Sequence, residues 1–255
     1  MTATMASAPA RIAARNNAAW CDAVCRAHGG ETATTGATWH NASPSPRFYP
    51  NIVTLRERQE ADVLATLQRL DDRLPAGWGI KDSFADLHLR SRGFAPVFEA
   101  SWIWRDASAS FPRCSADETL AWACVGDDEA LARWERAWDG DAAEAGTARR
   151  QFPVTLLEDS AIVFVAGRRG DRIVAGGVFN LAAGAVGISN VFAPMDDLRA
   201  CWTRLIVQAM QRFPGLPQCG YVRPEQLALS RRLGFEPVGP LRVWLRSADV
   251  VPRTV

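Results

Sequence analysis

Two stretches decide how this chain is read: LRSRGFAPVFEASWIWR, Leu89 to Arg105, and SRRLGFEPVGPLRVWLR, Ser230 to Arg246. Aligned on Gly93-Phe94 and Gly234-Phe235, each carries an arginine-bearing polar run, the Gly-Phe pair and then an apolar run holding tryptophan. Glycine takes the left-handed conformation that closes a helix, a conformation other L-residues resist. Each Gly-Phe therefore predicts a helix stop followed by a strand that starts against the core.

The likeness extends upstream. FYPNIVTL (Phe48 to Leu55) and VGISNVFA (Val186 to Ala193) are short, apolar and β-branched, each with an asparagine, Asn51 or Asn190, and each predicts a buried strand. Val63, Leu64, Leu67, Leu70 and Leu74 follow the first at helical spacing; Leu198, Cys201, Trp202, Leu205, Ile206, Ala209 and Phe213 follow the second. Both helices run into a Pro/Gly stop, LPAGWG and FPGLPQCG, and a short strand and a second short helix lead to the Gly-Phe. The series predicts a duplicated α/β (α+β) chain of two halves, residues 1–110 and 111–255, each a mostly antiparallel sheet flanked by helices.

Elsewhere the expectations are local. A helix is expected from about Asn17 to His28 and another from Asp117 to Trp138. DASASFPRCSA (Asp106 to Ala116) is expected as a linker and AWDGDAAEAGTARR as an exposed loop. Gly239-Pro240 is expected to break the last run into a hairpin, and Trp134 and Trp138 to pack between the halves.

Composition excludes several classes. At 255 residues with 48% hydrophobic and 22% charged residues the chain has the make-up of a globular protein. A net charge of +1 gives no electrostatic footprint for nucleic acid. No signal-like or membrane-spanning apolar run is present, so a cytoplasmic protein with no membrane partner is expected. Six scattered cysteines in a chain of this size are expected as free thiols.

This order of elements resembles the GNAT superfamily of acyl-CoA-dependent acyltransferases, present as a tandem pair, and LGFEPVGPLRVWL is the most recognisable piece. The resemblance implies acetyl-CoA or another acyl-CoA as co-substrate, a small-molecule amine as acceptor and no metal. It places CoA along Val191, Phe192 and Ala193 with Arg199 and Arg223 as cationic contacts, and Ser189 and Asn190 on the strand that lines the acyl site. The chain departs from the family at the turn that receives the pyrophosphate. MDDLRA (Met195 to Ala200) replaces a glycine-rich pattern with Asp196 and Asp197, which would cap the helix themselves; RERQEA (Arg56 to Ala61) also lacks glycine. The family's acid tyrosine is replaced by Ser230 and Leu89, which leaves Tyr221 as the expected acid. These departures equally suit a GNAT-derived binding or regulatory protein without catalysis.

Three further groups admit two readings each. Trp39 and His40 could present a wall and a base to the acceptor, or belong to the core. Asp82 could contact substrate or cap the segment after its strand; beside it, Lys81 is the only lysine and is given no role. Cys21, Cys25 and His28 share a helix face, as metal ligands with His40 or as core.

Overall fold

A computed structural model of the chain describes residues 6–112, 120–140 and 150–247. These fall into two compact units. The first comprises Met1–Ile103, Tyr221–Leu227 and Pro237–Val255, the second Trp104–Gly220 and Ala228–Glu236.

Unit 1 opens with helix α1 (Ala8–Ala27), followed by strands β1 (Thr32–Thr34), β2 (Thr38–Asn41) and β3 (Ile52–Thr54), helix α2 (Glu60–Asp71) and strand β4 (Gly79–Asp82). A 3-10 turn at Arg90–Arg92 then leads into β5 (Phe94–Arg105). Helix α1 starts earlier than Asn17 because Ser7 accepts a hydrogen bond from the Ala10 amide, proline sits in the first turn, and alanine has the highest helix propensity. Most of its buried residues are small, Ala10, Ala13, Ala14, Ala18, Cys21 and Cys25, beside Asn16, Trp20 and Val24. The backbone can therefore come close, and a Cβ on Gly239 would stand 3.3 Å from that of Ala10. Helix α2 buries Val63, Leu67 and Leu70, which join Ile52, Trp78, Ile80, Leu87, Phe94 and Trp244 in one apolar cluster.

Trp244 lies on the last strand, β11 (Glu236–Arg246), which is antiparallel to β4 with Arg242 opposite Asp82 and Leu245 opposite Gly79. The strand order in unit 1 is β1-β2-β3-β4-β11-β5. The hairpin expected at Gly239-Pro240 does not form: β11 is one strand, and Pro240 precedes the ladder to β4, so its missing N–H removes none of those rungs. The strand's far end is tied by Arg246, whose amide donates to Trp78 O (2.8 Å) and whose guanidinium pairs with Asp71 (2.9 Å).

Unit 2 contains β6 (Ala121–Cys124), α3 (Asp128–Asp139), β7 (Ile162–Arg169), β8 (Arg172–Ala182), β9 (Ala185–Phe192), α4 (Leu198–Arg212), the first three residues of β10 (Gln218–Val222), whose Tyr221 and Val222 belong to unit 1, and most of α5 (Leu227–Arg232). Its strands run β10-β9-β8-β7-β6. The helix expected over Asp117 to Trp138 is corrected. Ala121–Cys124 is a strand paired with β7, and the helix begins at Asp128, where Asp127 accepts the Ala130 amide at 2.7 Å. Trp134 and Trp138 pack inside unit 2: they stack on each other, and Trp134 lies edge-on to Phe152, Phe164 and Phe192 while donating to Val165 O. Parts of the expected linker (113–116) and most of the expected loop after Trp138 (141–149) lie outside the described residues.

Both Gly-Phe pairs behave as expected. Gly93 has φ 81° and Gly234 φ 83°. Phe94 N donates to Leu89 O and Phe235 N to Ser230 O, so the same closing bond recurs at matching positions. What they close differs: a 3-10 turn in the first copy and α5 in the second.

Candidate functional site

The parallel pair at the centre of each unit is where the two units diverge. In unit 2, β9 and β10 share two partners, Val186 with Gln218 and Gly187 with Cys219, and no further ladder joins them among the described residues. Past Gly187 the side of β9 that faced β10 is released. On its other side β9 carries one extra residue against β8: Val178 faces Ser189 but Gly176 faces Phe192. Asn190 absorbs that bulge in left-handed backbone, φ 51°, which asparagine tolerates better than most residues. Ser189 to Ala193 are half-buried, and the Ser189 Oγ is sealed from water without a hydrogen-bond partner. Backbone polar groups in such a split strand need partners, and a ligand can supply them.

In unit 1, β3 and β4 also share two partners, Ile52 with Ile80 and Val53 with Lys81. There the chain fills its own split: Ser83 N donates to Thr54 Oγ1 at 2.7 Å, and Ile52 to Leu55 and Gly79 to Phe84 are buried. The following turn is filled as well. Arg58 N, in left-handed backbone, donates to the Asp86 carboxylate at 2.7 Å, so a carboxylate of the chain itself takes the amide before α2. The register also corrects one pairing of the two halves. Asn51 precedes the first rung of β3 whereas Asn190 lies beyond the last rung of β9, so they are not equivalent. Asn51 is structural, its Nδ2 donating to Asn41 O and Ser43 O.

At the start of α4, Met195–Asp197 forms a 3-10 turn. Asp197 takes the N-cap position but makes no side-chain cap bond; it pairs with Arg169 at 2.9 Å instead. Arg199 is exposed in the first helical turn. Unit 2 thus gathers Ser189, Asn190, Val191, Phe192, Ala193 and Arg199 of the sequence-predicted residues.

The others belong to unit 1. Trp39 is 2% exposed, and its Nε1 donates to Asp22 at 2.9 Å. His40 Nδ1 is buried without a partner, and burial, with Arg69 nearby, holds its pKa below the usual histidine value. The Asp82 carboxylate accepts the Asp86 and Leu87 amides and the Trp244 indole; burial raises its pKa, and those hydrogen bonds oppose the shift. Tyr221 lies under Lys81, its ring centroid 4.5 Å from Nζ, and Arg223 stacks on Phe98 at 4.7 Å. Cys21 and Cys25 are buried core thiols, burial raising both pKa values, that of Cys25 to about 12. Among the described residues no three His, Cys, Asp or Glu side chains are placed to hold a metal ion. Lys81, given no role from the sequence, and Tyr49 also lie in unit 1.

The chain has the fold of the GCN5-related N-acetyltransferases. It is similar to such an enzyme from Kribbella flavida, at 17% identity and a TM-score of 0.61 over 92% of this chain and 95% of that one. A second, from Sphaerobacter thermophilus, matches at 14% identity and 0.53 over 98% of both chains. A functionally unknown conserved protein from Staphylococcus epidermidis matches at 9% and 0.58 over 85% and 94%. At these identities the likeness is one of fold. No family model matches the sequence, and no curated protein matches it. No helix among the described residues is long and apolar enough to cross a membrane.

Proposed function

We propose that the chain is an acyltransferase, that unit 2 binds an acyl-CoA along the released edge of β9, and that the acyl group, acetyl in the simplest case, passes to an amine of a small molecule. The observation that carries this reading is the contrast between the two splits: the same two-rung parallel pair is filled by Thr54 and buried neighbours in unit 1 and is left half-exposed, with an orphaned Ser189 hydroxyl, in unit 2. Amides of Ile188 to Phe192 would pair with the pantetheine, and amides at the Asn190 bulge would receive the developing oxyanion as a neutral amine attacks the thioester carbonyl; the C–S bond then breaks, and the proton given up by the amine nitrogen goes to the departing thiolate. Arg199 would meet a phosphate, and Arg169 lessens the repulsion from Asp197. We attribute the two units to one duplicated ancestor, on the recurrence of the Gly-Phe closure and the two-rung parallel pair. The chain begins and ends its likeness to the Kribbella and Sphaerobacter acetyltransferases over nearly its whole length, which supports reading both units together as one enzyme.

Calorimetric titration of the full chain with acetyl-CoA and with desulfo-CoA tests the reading. One site per chain is expected, with Arg199→Glu weakening both ligands. Absence of heat and of any thermal shift up to millimolar ligand refutes it. A non-catalytic binding protein is the second reading, favoured by the Asp196-Asp197 pair on the phosphate turn. It predicts CoA binding, or none, with no acyl transfer to any amine in a broad acceptor panel.

A further inference from the structure

The chain contains one lysine and two tyrosines, and unit 1 brings all three together. Lys81, in the middle of β4, is only 5% exposed. Its Nζ donates to Asn17 Oδ1 at 2.7 Å and stands over the Tyr221 ring, and among the described residues no carboxylate pairs with it. The neighbouring acids are engaged elsewhere: Asp22 with the Trp39 indole and Arg26, Asp82 with two backbone amides and Trp244. An ammonium has three donors, and burying one with a single neutral acceptor and no counter-ion is costly.

A second donor packs against the cluster of Cys21 and Val53, the latter the strand partner of Lys81. The Tyr49 hydroxyl is sealed from water and makes no hydrogen bond of normal geometry. Burial holds its pKa well above the usual phenol value, with smaller contributions from Cys21 and Tyr221 close by and a slight opposing one from the Trp20 indole. Cys21 Sγ and Lys81 Nζ share the Asn17 Oδ1 acceptor, and Tyr49 packs against the apolar cluster that holds Cys21, so Lys81, Cys21, Tyr49 and Tyr221 form one continuous group. Its surroundings are aromatic. Trp20 stands edge-on to Tyr49 (6.2 Å), Trp102 edge-on to Tyr221 (5.7 Å), and Phe98 stacks on Tyr221 (6.5 Å). The surface is one residue away, since Phe48, in left-handed backbone, is 64% exposed.

We propose that this group is a binding site for the carboxylate of a small molecule with a flat apolar body. Lys81 supplies the counter-charge, Tyr49 donates a hydrogen bond to one carboxylate oxygen, and the aromatic side chains enclose the body. A carboxylate suits the site better than a phosphate because one buried cation balances one negative charge and leaves a dianion under-neutralised. The proposal stands apart from acyl-CoA binding by unit 2.

The single lysine makes the test direct. In the full chain labelled with carbon-13 and nitrogen-15 lysine, all lysine side-chain signals come from Lys81, and titration with benzoate should move its Nζ resonance saturably, with tryptophan fluorescence changing at the same midpoint. Tyr49→Phe should weaken benzoate by about 10-fold, as expected for loss of a buried hydrogen bond to a charged group, while circular dichroism is unchanged. Lys81→Met should abolish binding. Acetyl-CoA titrated against the same variants should bind as it does to the unaltered chain. The proposal is overturned if benzoate leaves the Lys81 resonance unmoved at tens of millimolar, or if inorganic phosphate moves it and benzoate does not. The titration of the unaltered chain decides this even where a variant fails to fold.

Discussion

Replacing Asn190 by valine and, separately, by glycine isolates the backbone of the bulge from its side chain. Asn190 sits at φ 51°, where a β-carbon crowds the following carbonyl. The left-handed conformation costs an ordinary L-residue roughly 1–2 kcal/mol, and a branched side chain falls at the upper end, so Asn190→Val should lose about 2 kcal/mol. For a chain of this size each kcal/mol moves the melting temperature by about 2–4 °C, which puts the valine variant about 4–8 °C below the parent. Valine can escape the strain only by straightening β9. That would erase the extra residue between Ser189 and Phe192 and turn Phe192 away from Trp134, against which it packs edge-on. Glycine adopts the same φ freely and should melt within about 1 kcal/mol of the parent. Scanning fluorimetry gives the melting temperatures, and calorimetry gives acetyl-CoA affinity. Glycine should bind as the parent does, and valine about 10-fold or more weakly, the loss expected when a backbone contact to the ligand is misplaced. A valine variant that melts and binds like the parent, or a glycine variant that loses binding as valine does, refutes the role given to the bulge.

Further outcomes follow from single groups. Gly93→Ala and Gly234→Ala each place a β-carbon at φ above 80° and should each destabilise by about 1–2 kcal/mol in urea unfolding. Because the folded pKa of His40 lies below its unfolded value of about 6.5, the unfolded chain binds more protons between the two. The melting temperature should therefore fall as pH is lowered below that value, and fall less in His40→Gln. Asp196→Asn combined with Asp197→Asn should tighten acetyl-CoA binding measured at low salt, the gain shrinking as salt rises. Tyr49→Phe removes a buried unpaired hydroxyl and should leave urea stability equal or raise it by about 1 kcal/mol.

The sequence made the elements and their order legible wherever a strong local signal existed. Helical spacing found α2 and α4, and glycine chemistry found both closures, because those signals act over a few residues. It failed where the answer depended on distant partners. Nothing near Gly239 reveals that its bare α-carbon accommodates Ala10, so Gly239-Pro240 read as a hairpin turn. Ala121–Cys124 read as helix because only its ladder with β7 makes it a strand. The equivalence of Asn51 and Asn190 failed because register, which decides it, is set between strands rather than along them. In the candidate site, Ser189 to Phe192 could be named from their place on the strand, but their half-exposure, the bulge and the Arg169–Asp197 pair are tertiary facts. Lys81 and Tyr49 were invisible as a pair because neither lies in a motif; only folding brings them together.

The placement of β11 between β4 and β5 has a consequence for synthesis. Unit 1 cannot finish its sheet until β11, which follows nearly all of unit 2 in sequence, leaves the ribosome. Until then β4 presents an open edge to the cell, and every residue of the second unit must be made before it is covered. Removal of the final strand by proteolysis or an early stop codon should therefore ruin the beginning of the protein before its middle. The earliest-made residues of unit 1 thus wait for a strand that follows nearly all of unit 2 in sequence.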